Sequence, residues 1–451
     1  MAILSAGNAS VLVCHCGLRI ADCRLEHSAT SPPSSNLRAR VWQAATTVAF
    51  LVLLLFFSCH VHATSASPFP AASVVEGHTA RDLQGQAIAN LSAFAFIGQT
   101  LTPIPFQVDE RDHRDRWILD HGARLTGDET PGLLDANDVL VFMNRDVGER
   151  GVPALSPTNA TIWLEVRVGT DMSPVGFVYI GVFATPPAFQ PPHIYARYDA
   201  ETDRVYAERY ALAFGAPLPT HLAFVEQVGD FGTNMITGVH AVGDVRLLGG
   251  LLSLHRSDKD IRMEIVGSRS GPVRAVRRAR YWIPLPLGFR AQGRFDLLFY
   301  RDFVEGTTTV NVKLPPRLVL ADGELKTYFA FLPLPDAQPL LEGERERDLT
   351  IRWAALPLPD GKAVLLVVRL EGALQRLGQQ LYFENAPTEQ ADGGSSTGFG
   401  FLFTHINRLT TGTHRLSVFA MVLESTQPED IRRAVDAFLT PPVVTVAVVR
   451  P

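Results

Sequence analysis

Residues 273–282 read "VRAVRRARYW" and place four arginines between positions 274 and 280, in a chain whose formal net charge is −5. In extended backbone, successive side chains point to opposite faces. Arg274, Val276, Arg278, Arg280 and Trp282 then share one face. Val273, Ala275, Arg277, Ala279 and Tyr281 share the other. Guanidiniums spaced about 7 Å apart along such a strand could read carboxylates or sulfates on an acidic polysaccharide, because each offers a planar fork of donors to an oxyanion. Trp282 at the end of the row would suit the apolar face of a sugar ring. The same pattern also serves a solvent-facing strand whose arginines pair with neighbouring acids and discourage edge-to-edge aggregation. Arg274, Arg278, Arg280 and Trp282 are the candidate ligand-binding residues.

A second concentration is acidic. Nine Asp and Glu residues fall between Asp109 and Asp138, and "PGLLDANDVLVFMNRD" (131–146) sets an acidic loop before an apolar run. Asp135, Asn137 and Asp138 are candidate metal ligands, since calcium takes several carboxylate, amide and carbonyl oxygens. The loop lacks the glycine and distant glutamate of an EF-hand. Asp and Asn side chains also bond the backbone of tight turns, so these residues could simply turn the chain into the strand "VLVFM".

Other chemistry is thinly represented. There is no H-E-x-x-H helix and no Walker loop, and the cysteines all lie before residue 60. A lyase would need a Tyr or His base beside an arginine that stabilises the developing enolate. "HIYARY" (193–198), Tyr281 and "YRD" (300–302) supply those residue types.

The elements that must position these groups are mostly strands. "TIWLEVRV" (161–168) alternates with period two, and "VGFVYIGVFA", "KTYFAFLPL", "KAVLLVVRL" and "HRLSVFAMVLE" read as further strands separated by turn residues. The clearest helix signal is "TQPEDIRRAVDAFLT" (426–440). Pro428 suits the first turn, Glu429 and Asp430 suit the positive end of the dipole, and Ile431, Val435 and Phe438 recur at helical spacing. "PPVVTVAVV" after it reads as a buried strand. The expected fold is mostly β, a supersandwich or two packed β-sandwiches with one short C-terminal helix.

The N-terminus sets the compartment. Residues 44–57 are continuously apolar but shorter than the roughly 20 residues of a spanning helix, and of the length of a signal-peptide core. Arg38 and Arg40 precede them and Val61-His62-Ala63 follows, so cleavage after Ala63 is expected, with a lipoprotein anchored at Cys59 as the rival. Cleavage would discard Cys14, Cys16, Cys23 and Cys59, leaving no thiolate or disulfide. It would also remove four arginines and two acids, leaving 37 basic against 44 acidic residues, net −7. Such a charge gives no reason to expect nucleic acid as a partner. The proline-rich "TPPAFQPPH" (185–193) suggests a boundary, dividing the chain into a leader (1–63), an N-terminal β domain (64–190) and a C-terminal β-sandwich domain (191–451).

Two stretches resemble known patterns. "PIPFQVDERD" followed by "DANDVLVFMNRDVG" resembles a Gln-x-Asp strand, Asp-rich loop and hydrophobic strand found in uncharacterised secreted bacterial β proteins. There an acidic residue often follows D-A-N-D, where this chain has Val139. "SRSGPVRAVRRARYW" (268–282) resembles a G-P-V-R strand of galactose-mutarotase-like supersandwich proteins, a group of sugar epimerases, polysaccharide lyases and non-catalytic relatives. The resemblance implies an exported, carbohydrate-associated protein, periplasmic or extracellular, with an anionic glycan as partner. A polysaccharide lyase or sugar epimerase on the same fold and a structural envelope protein are the alternatives.

Overall fold

The computed structural model describes residues 71–98, 100–122, 127–151, 159–169, 174–188, 193–215, 218–227, 229–284, 290–313, 316–318, 320–341, 351–385 and 396–449. The expected leader, its cleavage site and all four cysteines lie outside them. Among the described residues no helix is long and apolar enough to cross a membrane.

The mostly β expectation holds, with five sheets and one α-helix among the described residues. The largest sheet has eight strands in the order β14-β15-β16-β17-β24-β21-β20-β19. These are β14 (Arg262–Ser270), β15 (Ala275–Pro284), β16 (Arg290–Phe299), β17 (Phe303–Val312), β19 (Leu340–Leu341), β20 (Trp353–Pro357), β21 (Ala363–Leu370) and β24 (Gly412–Leu423). A five-stranded sheet, β13-β12-β18-β23-β22, faces it: β12 (Ile236–Leu247), β13 (Leu252–Arg256), β18 (Leu320–Phe331), β22 (Gly378–Glu384) and β23 (Thr397–Thr404). Ala275, Leu297, Phe299, Val364 and Leu366 from the first meet Phe331, Phe399, Phe401 and Phe403 from the second in one apolar cluster. A four-stranded sheet contributes Tyr198, Val205, Leu212 and Leu222 to that cluster. Its strands are β8 (Ala196–Asp199), β9 (Arg204–Ala207), β10 (Tyr210–Gly215) and β11 (Leu218–Phe224).

The other face of the eight-stranded sheet is also covered. Val276, Leu298, Leu365, Val367, Phe419 and Met421 pack there against helix α1 (Pro428–Leu439). The helix follows its sequence signals, with Pro428 in the first turn and Ile431, Ala434, Val435, Ala437 and Phe438 buried. Phe438 stacks on Phe419 at 4.8 Å between ring centroids. Truncating it to alanine would cost about 3–5 kcal/mol, the usual range for a buried aromatic.

Beside the helix sits a three-stranded sheet, β1-β5-β4, of β1 (Ala72–Glu76), β4 (Gln107–Asp109) and β5 (Val139–Met143). All five residues of β5 are buried. Val139, Val141 and Met143 join the helix-side core, while Leu140 and Phe142 pack towards β6 (Ala160–Gly169) and β7 (Pro174–Phe183). An apolar run without alternation is what a strand buried on both faces requires. β6 and β7 belong to the last sheet, β25-β6-β7-β2-β3, with β2 (Leu91–Ile97), β3 (Thr100–Pro103) and β25 (Val443–Val448). The expectation of a buried C-terminal strand is corrected here. β25 is an edge strand, with Val444 and Val446 against the core and Val443 and Val448 about half exposed, because it has β6 on one side only.

Candidate functional site

The polar residues of the helix-side face are set by register. Four rows of side chains cross the eight-stranded sheet, each joining residues directly opposite one another on neighbouring strands. The innermost holds Phe303, Met421 and Leu365. Next come Val276, Leu298, Glu305, Phe419 and Val367, then Arg278, Asp296, Thr307, Ser417 and Arg369. The outermost joins Glu264, Arg280, Arg294, Thr309 and Arg415, three arginines to one carboxylate. Side chains opposite one another share a face, so this surface grades from apolar beneath α1 to basic beyond it.

Where the helix and the three-stranded sheet stop covering this face, a cavity of about 870 Å³ opens. Its wall carries Arg111, Arg274, Arg278, Arg294, Arg369 and Arg415, against the carboxylates of Glu76, Asp115, Asp296 and Glu305. Six guanidiniums against four carboxylates make a basic cavity in an acidic chain.

Arg274 is the best-anchored of these groups, 2% exposed. Its Nε donates to Asp109 Oδ2 at 2.8 Å and its Nη1 donates to the Tyr300 hydroxyl at 2.5 Å. Gln107 Oε1 accepts the backbone N–H of Val273 and of Arg274, and Gln107 Nε2 donates to Asp109 Oδ1 at 2.7 Å. The two sequence patterns quoted separately, Q-V-D and G-P-V-R, are thus a single buried contact. Gly271 makes room for it, because a Cβ there would lie 2.3 Å from the Gln107 side chain. Burial lowers the Arg274 pKa, but Tyr300 and Asp109 more than offset this and hold it above its ordinary value. Burial pushes the Tyr300 hydroxyl up to about 12, with Arg274 opposing.

Trp117 lies beside this pair, with the Arg111 guanidinium 4.3 Å and that of Arg274 4.9 Å from its ring centroid. Arg278 donates from Nε to Asp296 Oδ1 at 2.7 Å, and Arg294 approaches the other oxygen at 3.0 Å, so two arginines share one carboxylate. Burial, then the nearby Arg278 and Arg415, depress the Arg294 pKa against the pull of Asp296. Burial raises the carboxyl of Glu305 above its ordinary range, with Arg369 and Arg274 opposing.

The predicted arginine row therefore divides. Arg274 and Arg278 are buried in ion pairs. Arg280 is exposed at the outer row beside Arg294, and Trp282 sits half-buried further along β15, next to Arg262 and Gln292. The face assignment is as read, since Arg277 lies on the opposite side and clasps Asp203 with two bonds of 2.8 Å. Arg294, Arg369 and Arg415 escape the sequence reading because they stand on other strands. Arg294 and Arg415 signal themselves only as arginines among polar residues at alternating positions, and Arg369 only as the first charge after the apolar run 363–368.

In the acidic loop, Asp138 accepts the N–H of Arg111 and of Asp135 at 2.9 Å each, and Asp135 Oδ1 accepts the N–H of Asn137 at 3.0 Å. Asn137 Nδ2 donates to the carbonyls of Arg111 and Asp112. Asn137 and Asp138 are turned to backbone, tying the loop to the segment that carries Arg111. Asp135 instead brings a carboxylate oxygen within 4.8 Å of oxygens from Asp128 and Glu129. Burial pushes the Asp138 carboxyl up to about 6. The stretch G-S-S-T-G at 394–398 has the spacing of a nucleophile elbow, a candidate the sequence reading passes over. Its Ser396 is buried and leads into strand β23 rather than a helix, so the strand-to-helix turn of that motif is not made.

No family model matches the chain, and no curated protein matches it. Among solved structures it is similar to an α-mannosidase from Enterococcus faecalis, at TM-score 0.43 and 11% identity over 85% of this chain and 45% of that one. It is similar to the Slr1438 protein of Synechocystis, at 0.31 and 9% over 53% and 99%. It is similar to a heparan sulfate lyase from Pedobacter heparinus, at 0.29 and 10% over 53% and 38%. The chain spans less than half the length of the mannosidase. None of these scores reaches one half, so the chemistry of the site has to be read from its own side chains.

Proposed function

We propose that this chain is an exported, carbohydrate-associated β protein whose arginine-lined cavity holds an acidic segment of a polysaccharide. The observation that carries the reading is the outer row. Arg294 and Arg415 flank Thr309, Arg280 stands one strand further out between Arg294 and Glu264, and neither Arg280 nor Arg415 has an ion-pair partner among the described residues. The Thr309 hydroxyl is buried without a hydrogen-bond partner among the described residues. With strands about 4.8 Å apart, Arg280 and Arg415 stand about 14 Å from one another, a span that suits successive charges on an extended anionic chain rather than one small anion. The cavity behind the row falls within the roughly 300–1,000 Å³ of ordinary ligand sites.

The test is calorimetric titration of the purified chain with heparin and polygalacturonate, and with dextran as the uncharged control. Binding of the acidic polymers, weakened about tenfold or more by Arg415→Ala at unchanged melting temperature, is the expected result; equal binding of dextran would sink it. The same mixtures, followed by the ultraviolet absorbance of unsaturated uronate ends, test the lyase alternative. Sequencing the N-terminus of the exported chain tests cleavage before Thr64.

A further inference from the structure

The carboxylates on the wall of the arginine cavity are not equivalent. Asp296 takes Arg278 Nε at 2.7 Å and Arg294 Nε at 3.0 Å, and Glu76 takes Arg111 Nη1 at 3.1 Å. Asp115 is exposed to water. Glu305 has neither a close cation nor open solvent. Its side chain is 20% exposed and lines the cavity. In its row it stands between Leu298 on β16 and Phe419 on β24, two apolar neighbours that keep water from its flanks. The Thr307 hydroxyl donates to Oε1 at 3.4 Å, and the one ion pair Glu305 makes among the described residues is with Arg369 Nη2, at 3.9 Å. A carboxylate that loses water and gains no close cation is driven towards its protonated form. Burial does raise the Glu305 carboxyl, with Arg369, Arg274 and Arg415 opposing.

Two of those opposing cations are the ones an acidic polymer would engage. Arg369 stands one row out from Glu305 and Arg415 two rows out, with rows about 7 Å apart. An anion seated on them offsets their field at Glu305 and adds its own negative charge, and both changes favour the proton. Once protonated, Glu305 presents an O–H donor to the guest in place of a repelling charge. The other ionisable groups facing Glu305 are committed elsewhere. Arg274 is held by Asp109, Asp296 by two arginines, and the Tyr300 hydroxyl, pushed up to about 12, keeps its proton. Helix α1 brings only Ala437 and Phe438 to the cavity. Across it stand Glu76, Arg111, Asp115 and His78, and of these the His78 imidazole is the one whose own protonation would favour an anion at lower pH.

We propose that Glu305 takes up a proton from solvent when an acidic polymer enters the arginine cavity, so that the site binds polyanions more tightly as pH falls. This rests on the glycan reading above and names what regulates the same site. The sign follows from linkage. The bound state holds the extra proton, so affinity is greatest below the pKa of Glu305 in the free chain and is lost as pH rises through its value in the complex.

The experiment is calorimetric titration of the full purified chain with heparin at pH 5.5 and pH 8, at one salt concentration, in pairs of buffers with different heats of ionisation. The enthalpy difference within a pair counts protons taken up. Sulfates stay ionised throughout, and so do carboxyls of ordinary pKa, about 4. Wild-type affinity should rise towards pH 5.5, by at most about tenfold per pH unit for one proton. Glu305→Gln should abolish the proton uptake and, at pH 8, bind about tenfold or more tighter than the wild type, one pKa unit of coupling being about tenfold. Damage to the fold would weaken binding instead. His78→Asn should still take up the proton. If Glu305→Gln does not fold, judged by circular dichroism and a cooperative melt, the proton count of His78→Asn decides, and zero uptake there overturns the proposal. Heparin bound equally at both pH values with no proton taken up, or uptake that persists in a folded Glu305→Gln, also overturns it and leaves the glycan reading intact. No heparin binding by either protein at either pH overturns both.

Discussion

Replacing Asp109 by alanine should remove a large share of the protein's stability. Asp109 is 1% exposed and Arg274 2%, and the carboxylate takes Arg274 Nε and Nη2 on one oxygen, Gln107 Nε2 and Arg269 Nε on the other. Without it the Arg274 guanidinium keeps only the Tyr300 hydroxyl as a short partner. Breaking a buried ion pair from one side costs about 3–5 kcal/mol, because the remaining charge stays desolvated. Against a total stability of about 5–15 kcal/mol, that is a large fraction. The assay is urea unfolding at pH 7, with slope and midpoint fitted separately. At a slope of about 3 kcal/mol/M, expected to be larger still for a chain of this size, the midpoint should fall by about 1 M. Arg274→Met combined with Asp109→Leu should lose much less than the two single changes added together, since apolar replacement of both partners removes the stranded charge. A midpoint shift below about 0.3 M at unchanged slope, or simple additivity in the double variant, would refute the claim that this pair is the anchor of the site.

Burial raises the carboxyl of Asp302 to about 6, with Arg301 opposing. An acid whose folded pKa is raised holds its proton more tightly folded than unfolded, so stability is greatest below its unfolded pKa, about 4, and falls as pH rises towards 6. Asp302→Asn should leave stability unchanged below about pH 4 and raise it by up to about 3 kcal/mol above pH 6; thermal melts across that range decide it, and a variant less stable at pH 7 contradicts it. Gly271→Ala puts a Cβ 2.3 Å from the Gln107 side chain, an overpacking expected to cost about 1–3 kcal/mol. An unchanged urea midpoint would show that Gln107 can move aside.

Much of the scaffold is legible in one dimension because its signals are local. The alternation along "TIWLEVRV", the apolar run of β5 and the dipole-matched first turn of α1 each depend on neighbours within a few residues. So does the assignment of Arg274 and Arg278 to one face of β15 and Arg277 to the other, which follows from the two-residue period alone. Whether an arginine on that face meets solvent or an acid is a different kind of question. Arg274 looks available in sequence and is buried against Asp109, far back along the chain, while Arg415 looks incidental and stands in the exposed row.

What the sequence by itself determined is the strand and helix content, the face on which each side chain stands and the acidic balance of the chain. Tertiary structure decided which strands lie side by side. Pairing β15 with β16, and β17 with β24, brings Arg280, Arg294 and Arg415 together across the sheet, and packing β4 against the G-P-V-R segment buries Arg274 in its ion pair. Side-chain direction is fixed by the backbone period within a strand. The neighbour across the sheet is fixed by register between segments distant in the chain, and a charge is stabilised or stranded by whatever that register sets beside it.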